Sequence, residues 1–126
     1  MSVVVRMNGD VSIVELSGEF TLGRGVVSKP LDLHGHRLED LGQSLQALLD
    51  RGSSRIVLDL EKVRFMDSAG LGELVAWKKR ALQRGGDLRL LRPRERVREV
   101  FELTALTRVF DIFEAEADAV ASFRRA

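Results

Sequence analysis

The sequence predicts an α/β fold: a single domain with a mixed β-sheet of about five strands covered by about four helices. Three observations lead there. Short β-branched runs alternate with segments whose apolar residues fall on one helical face, and a hairpin signal opens the chain. The run "RIVLDL", Arg55 to Leu60, is almost continuously apolar, as in a strand buried on both faces within a parallel part of a sheet. The chain has 126 residues, 44% of them hydrophobic, enough for one core and one domain over residues 1–126.

Val3 to Met7 and Val11 to Ser17 read as the strands of the opening hairpin, with "NGD" between them, where Asn8-Gly9 supplies the positive φ angles of a tight turn. Residues 18–37 are rich in glycine, carry Pro30 and keep no period, so a long loop is expected. From Leu38, the residues Leu41, Leu45, Leu48 and Leu49 continue one helical face, and Gly52 stands where a left-handed terminator belongs. After "RIVLDL" a second helix carries Leu71, Leu74, Val75, Ala81 and Leu82 and stops at Gly85-Gly86. Lys78 lies on that stripe, its stem expected to pack and its ammonium group to reach outward. "LRLL", Leu88 to Leu91, is the next strand. Pro93 then introduces a helix with Val97, Val100, Phe101 and Thr104. Val109 to Phe113 reads as a last strand and Ala115 to Phe123 as a last helix. Right-handed crossovers then join the parallel strands.

Composition excludes several classes of function. Twenty basic against nineteen acidic residues leave a net charge of +1, so no broad field favours nucleic acid or anionic lipid. The arginines of "RLLRPRERVRE" are interleaved with glutamates, as on a solvated helix face. Without cysteine there is no disulfide and no thiolate metal site. No signal peptide pattern opens the sequence and no apolar run reaches membrane-spanning length, so a cytoplasmic protein is expected.

The stretch "FMDSAGLGEL", Phe65 to Leu74, places an acid, a hydroxyl and two glycines between a strand and a helix. A hydrolase would put its nucleophile at such a turn, yet Met66 stands where the first glycine of G-x-S-x-G belongs. The histidines His34 and His36 both lie in the irregular loop, away from Ser68, so no base is evident. Val75 replaces the third glycine of a dinucleotide loop, and there is no Walker sequence. Asp32, His34 and His36 lack a fourth metal ligand. Asp59 and Asp67 bracket the same segment as a candidate carboxylate pair, but Asp59 is better placed to accept backbone N–H bonds. Non-enzymatic roles remain: Ser68 as helix N-cap, Asp67 adding charge near the positive helix end, and Ala69 and Gly70 leaving the hydroxyl open.

"VLDLEKVRFMDSAGLGEL" resembles the signature of the STAS family, named for sulfate transporters and anti-sigma factor antagonists. The later "RALQRGGDLRLLRPRERVREVFELTALTRVFDIF" is similar too. The resemblance implies an anti-sigma factor antagonist with no cofactor. Its partners would be an anti-sigma factor that is also a serine kinase of the GHKL type, and a serine phosphatase. The serine matching the family's phosphorylation site is Ser68, and Asp67, Ser68, Ala69, Gly70, Leu71 and Gly72 would meet the partner. Many members carry an acid after the second strand where "GEFT" gives Thr21, a further position of the implied partner surface, and the loop through Arg37 is longer than the family's usual one. A second reading is a non-switching STAS subunit of an assembly, such as a lipid-transport complex or a stressosome-like scaffold.

Overall fold

Two antiparallel strands, β1 (Ser2–Asn8) and β2 (Val11–Phe20), open the chain with Asn8 paired to Val11. The structure, a computed structural model, describes residues 2–20 and 38–124. The hairpin turn is Gly9-Asp10, and only Gly9 takes a positive φ, 64°. Asn8, expected in the turn, stays in the strand. This is the pattern of a primed turn with glycine first, whose twist matches the flanking strands.

β2 runs three residues past its expected end at Ser17. Its register against the strand Arg55–Met66 shifts between Glu15 and Ser17 and again between Gly18 and Glu19, and Gly18 adopts φ 101° beside the second shift. Bulges of this kind bend a strand while keeping it paired. The expected loop over residues 18–37 therefore starts later, and its remainder, 21–37, lies outside the described residues, as do Thr21, Asp32, His34 and His36.

Helix α1 (Leu38–Asp50) buries Leu41, Leu45, Leu48 and Leu49. It ends in a Schellman motif, the N–H of Gly52 bonding to Leu49 O at 3.0 Å and that of Ser53 to Leu48 O at 2.8 Å. β3 (Arg55–Met66) follows, six residues longer than expected. Ile56 to Leu60 are all buried, as a central parallel strand requires. Beyond Leu60 the buried residues are Val63 and Met66, three apart instead of two, because the strand turns through its irregular register with β2.

Helix α2 (Ser68–Gln83) buries Leu71, Leu74, Trp77 and Ala81, while Leu82, expected on this stripe, is half exposed. Lys78 does not reach outward. Its ammonium group bonds to Asp87 Oδ1 at 2.5 Å and sits 5.7 Å from the centre of the Phe110 ring. Gly85, at φ 84°, closes a second Schellman motif. At Gly86 a Cβ would stand 1.9 Å from the Ser54 carbonyl oxygen, so only glycine fits where α2 turns down into the sheet.

β4 (Asp87–Leu91) leads to α3 (Glu95–Leu103), which buries Val97 and Phe101. Thr104 ends this helix, its hydroxyl donating to Val100 O at 2.8 Å. The last strand, β5 (Ile112–Phe113), is shorter than the expected Val109 to Phe113. A 3-10 turn at Leu106–Arg108 precedes it, and Phe110 turns inward to meet Phe101 edge-on, centroids 5.7 Å apart. Helix α4 (Glu116–Ser122) is trimmed by a residue at each end relative to expectation.

Among the described residues the five strands stand in the order β1-β2-β3-β4-β5, the first pair antiparallel and the rest parallel. Residues of α1, α2 and α3 pack with Val14, Leu16, Ile56, Leu58, Leu88 and Leu90 on one face. On the other, Ala119 and Val120 of α4 cover Val11, Ile13, Val57 and Leu91. Ion pairs tie α4 down: the Arg6 guanidinium donates to Glu116 and, at 3.0 Å, to Glu15, and Asn8 Nδ2 donates to Glu116 at 2.8 Å. The Arg6 hydrogen bonds hold the Glu116 carboxyl down at about 2 and raise the guanidinium's own pKa.

Candidate functional site

The junction between β3 and α2 is built from its buried residues outward. Met66 is buried at the end of β3, and Leu71 and Leu74 are buried in the first turns of α2. These anchors fix both sides of the turn, so the chain must change from strand to helix within the intervening residues. Asp67 is the residue that does so. Its backbone is extended, φ −96° and ψ 176°, and its carboxylate Oδ1 accepts the N–H of Gly70 at 2.8 Å while its carbonyl accepts the N–H of Leu71 at 3.0 Å. Asp67, not Ser68, is therefore the N-cap.

Ser68 is consequently the first residue inside the helix. It is exposed, and among the described residues its hydroxyl has no hydrogen-bond partner. Ala69 and Gly72 are exposed beside it, and a Cβ at Gly72 would meet nothing within 4 Å. Gly70 and Leu71 are buried, so of the six neighbouring residues singled out by the sequence these two form the floor of the site. The open end of α2 presents N–H groups and the positive end of a 16-residue helix on the same side.

Sequence reasoning missed Phe65, which is 41% exposed although it belongs to a strand whose neighbours Val63 and Met66 are buried. With Lys62 and Arg64, also exposed, it forms the outer side of the last stretch of β3. The three-residue spacing of Leu60, Val63 and Met66 in the sequence is the signal that could have found it.

Asp59 and Asp67 do not form a carboxylate pair. Asp59 accepts the Glu61 N–H at 3.0 Å and lies 3.3 Å from the Arg92 guanidinium, in a cavity of about 110 Å³ lined by Glu15, Leu16, Asp59, Glu61, Lys62 and Arg92. Asp67 is absent from that lining and is engaged in the cap. Among the described residues no cluster of three or more His, Asp or Glu side chains could hold a metal ion, and no helix is long and apolar enough to cross a membrane.

Comparison with known proteins agrees with this geometry. The family model of the STAS domain matches residues 2–119. A Bordetella bronchiseptica protein, BtrV, described as a candidate anti-sigma factor antagonist, is 35% identical over 88 residues, covering 70% of this chain and 76% of its own length. The anti-sigma F factor antagonist of Paenibacillus polymyxa is 30% identical over 110 residues, 87% of this chain and 84% of that protein. In fold, the chain is similar to the anti-sigma factor antagonist SpoIIAA solved in its unphosphorylated form, with a TM-score of 0.73, 23% identity, and coverage of 98% of this chain and 96% of that one. SpoIIAA of Bacillus has also been solved in the phosphorylated form, to which this chain compares with a TM-score of 0.67 at 21% identity over 96% and 98% of the two chains. With the strand order, the Asp67-capped junction and a family match over nearly its whole length, the chain belongs to the STAS domain family.

Proposed function

We propose that this protein is an anti-sigma factor antagonist, a binding protein and not an enzyme. Its unphosphorylated form binds a cognate anti-sigma factor that is also a serine kinase of the GHKL type, and so releases a sigma factor. Phosphorylation of Ser68 switches it off, and a serine phosphatase restores it. The cytoplasm is where such partners would meet it. The observation that carries this reading is the exposed Ser68 hydroxyl, placed at the first helical position while Asp67 does the capping.

That division of labour suits a switch. A phosphate on Ser68 adds about −1.5 to −2 charges at neutral pH. Because the cap bond belongs to Asp67, the modification breaks no hydrogen bond among the described residues, and the positive end of α2 tolerates the new charge. A partner packed against Ser68, Ala69 and Gly72 meets bulk, desolvation and, where it is acidic, repulsion. Thr21 belongs to the proposed partner surface by its likeness to the family alone.

Intact-mass measurement after incubation with the cognate kinase and Mg-ATP tests the site. A gain of about 80 Da in the unaltered chain and none in Ser68→Ala is expected. No gain, or one that persists in Ser68→Ala, contradicts the assignment and leaves a non-switching subunit of an assembly as the better reading.

A further inference from the structure

The outer edge of β1 is unpaired among the described residues, and it lacks the devices that usually guard a sheet edge. "SVVVRMN" contains no proline and no lysine, and its register against β2 runs without a bulge from Ser2 to Asn8. The one charge, Arg6, is bound back onto its own sheet by Glu15 and Glu116. Val4, Val5 and Met7 are exposed by 53%, 37% and 48%. The opposite edge, β5, is two residues long.

The hairpin fixes which backbone groups are free. A two-residue turn is closed by a pair that exchanges both hydrogen bonds, here Asn8 and Val11, and bonded pairs then alternate back along the ladder. Asn8, Arg6, Val4 and Ser2 therefore point their N–H and C=O groups toward β2. Val3, Val5 and Met7 point theirs outward.

This outward set is symmetric about Val5. We infer that β1 pairs antiparallel with β1 of a second copy of this chain about a two-fold axis at Val5, joining the two sheets into one. Val5 then faces Val5, and Val3 faces Met7, each through outward-pointing groups, for about six backbone hydrogen bonds. Val5 and Met7 are covered on one face. On the other, Val4 lies opposite the aliphatic stem of the second copy's Arg6, so no two like charges stand directly opposite, and the two diagonally placed Arg6 guanidinium groups are each held by Glu15 and Glu116 of their own copy. Because β2 and β3 run in opposite senses in the two copies, the two Ser68 junctions lie at opposite ends of the strands of the joined sheet. Each copy keeps its junction open, and pairing is independent of the state of Ser68.

Sedimentation velocity on the full chain from about 10 μM to about 1 mM reads the pairing, on a scale set by micromolar association. The unaltered chain and Ser68→Asp are expected to shift together toward twice the monomer mass. Val5→Pro, which removes an N–H that β2 does not use, is expected to stay folded and monomeric. In the unaltered chain, amide exchange at Val3, Val5 and Met7 is expected to slow at least tenfold with rising concentration, while Val4 and Arg6 do not change. A chain that is monomeric throughout, a dimer that persists in folded Val5→Pro, or exchange that does not depend on concentration overturns the proposal. If Val5→Pro does not fold, the exchange measurement on the unaltered chain decides alone. Loss of pairing with intact phosphorylation would leave the proposed switch standing, and the reverse outcome would leave the pairing standing.

Discussion

Asp67 closes the first turn of α2 by accepting the Gly70 N–H at 2.8 Å, and Ser68, between them, takes no part in the cap. The stabilising bond and the exposed hydroxyl thus belong to adjacent but separate residues. Removing the carboxylate in Asp67→Ala is expected to cost about 1–2 kcal/mol, and Ser68→Ala less than about 0.5 kcal/mol. Urea unfolding midpoints of the two variants check this, and the opposite ranking would return the cap to Ser68.

Gly72 sits exposed within α2 with open space where a Cβ would be. Glycine at such a position destabilises a helix by roughly 0.5–1 kcal/mol relative to alanine. Gly72→Ala is therefore expected to raise the urea midpoint. If the partner packs closely on this turn, the same change weakens binding several-fold in a titration. A variant that is both more stable and fully able to bind would place the partner elsewhere.

The latch between Arg6 and Glu116 makes stability depend on pH in acid. Hydrogen bonding to Arg6 lowers the Glu116 carboxyl from 4.5 to about 2. A carboxyl depressed on folding stabilises the native state fully above its unfolded value, and this contribution fades as pH falls through the folded one. Glu116→Gln is expected to be less stable than the unaltered chain by about 1–2 kcal/mol near pH 7. The gap should close between about pH 4.5 and pH 2. Urea unfolding at both ends of that window measures it, and a gap independent of pH would show that the latch carries no such charge.

Local signals made most of this fold legible. Gly52 and Gly85 mark helix ends because their left-handed conformations are written in neighbouring residues. Val57 and Leu58 lie in a run that only a doubly covered strand tolerates. What escaped depends on partners distant in sequence. The second half of β3 does not alternate, because Val63 and Met66 follow a bulged register set by β2. Phe110 reads as strand but is drawn inward by Phe101. Asp67 and Ser68 are both good capping residues, and the choice between them rests on where buried Met66 ends the strand. The Ser68 junction was legible through its motif, its exposed neighbour Phe65 was not, and Thr21 lies outside the described residues.

The charge state of Ser68 is the centre of the proposed switch, and isothermal titration of the cognate anti-sigma factor with the chain before and after phosphorylation reads it directly. A loss of affinity of about a hundredfold or more, equivalent to about 2.8 kcal/mol, is expected, with the unfolding midpoint of the phosphorylated chain nearly unchanged. Equal affinity of the two forms would contradict it.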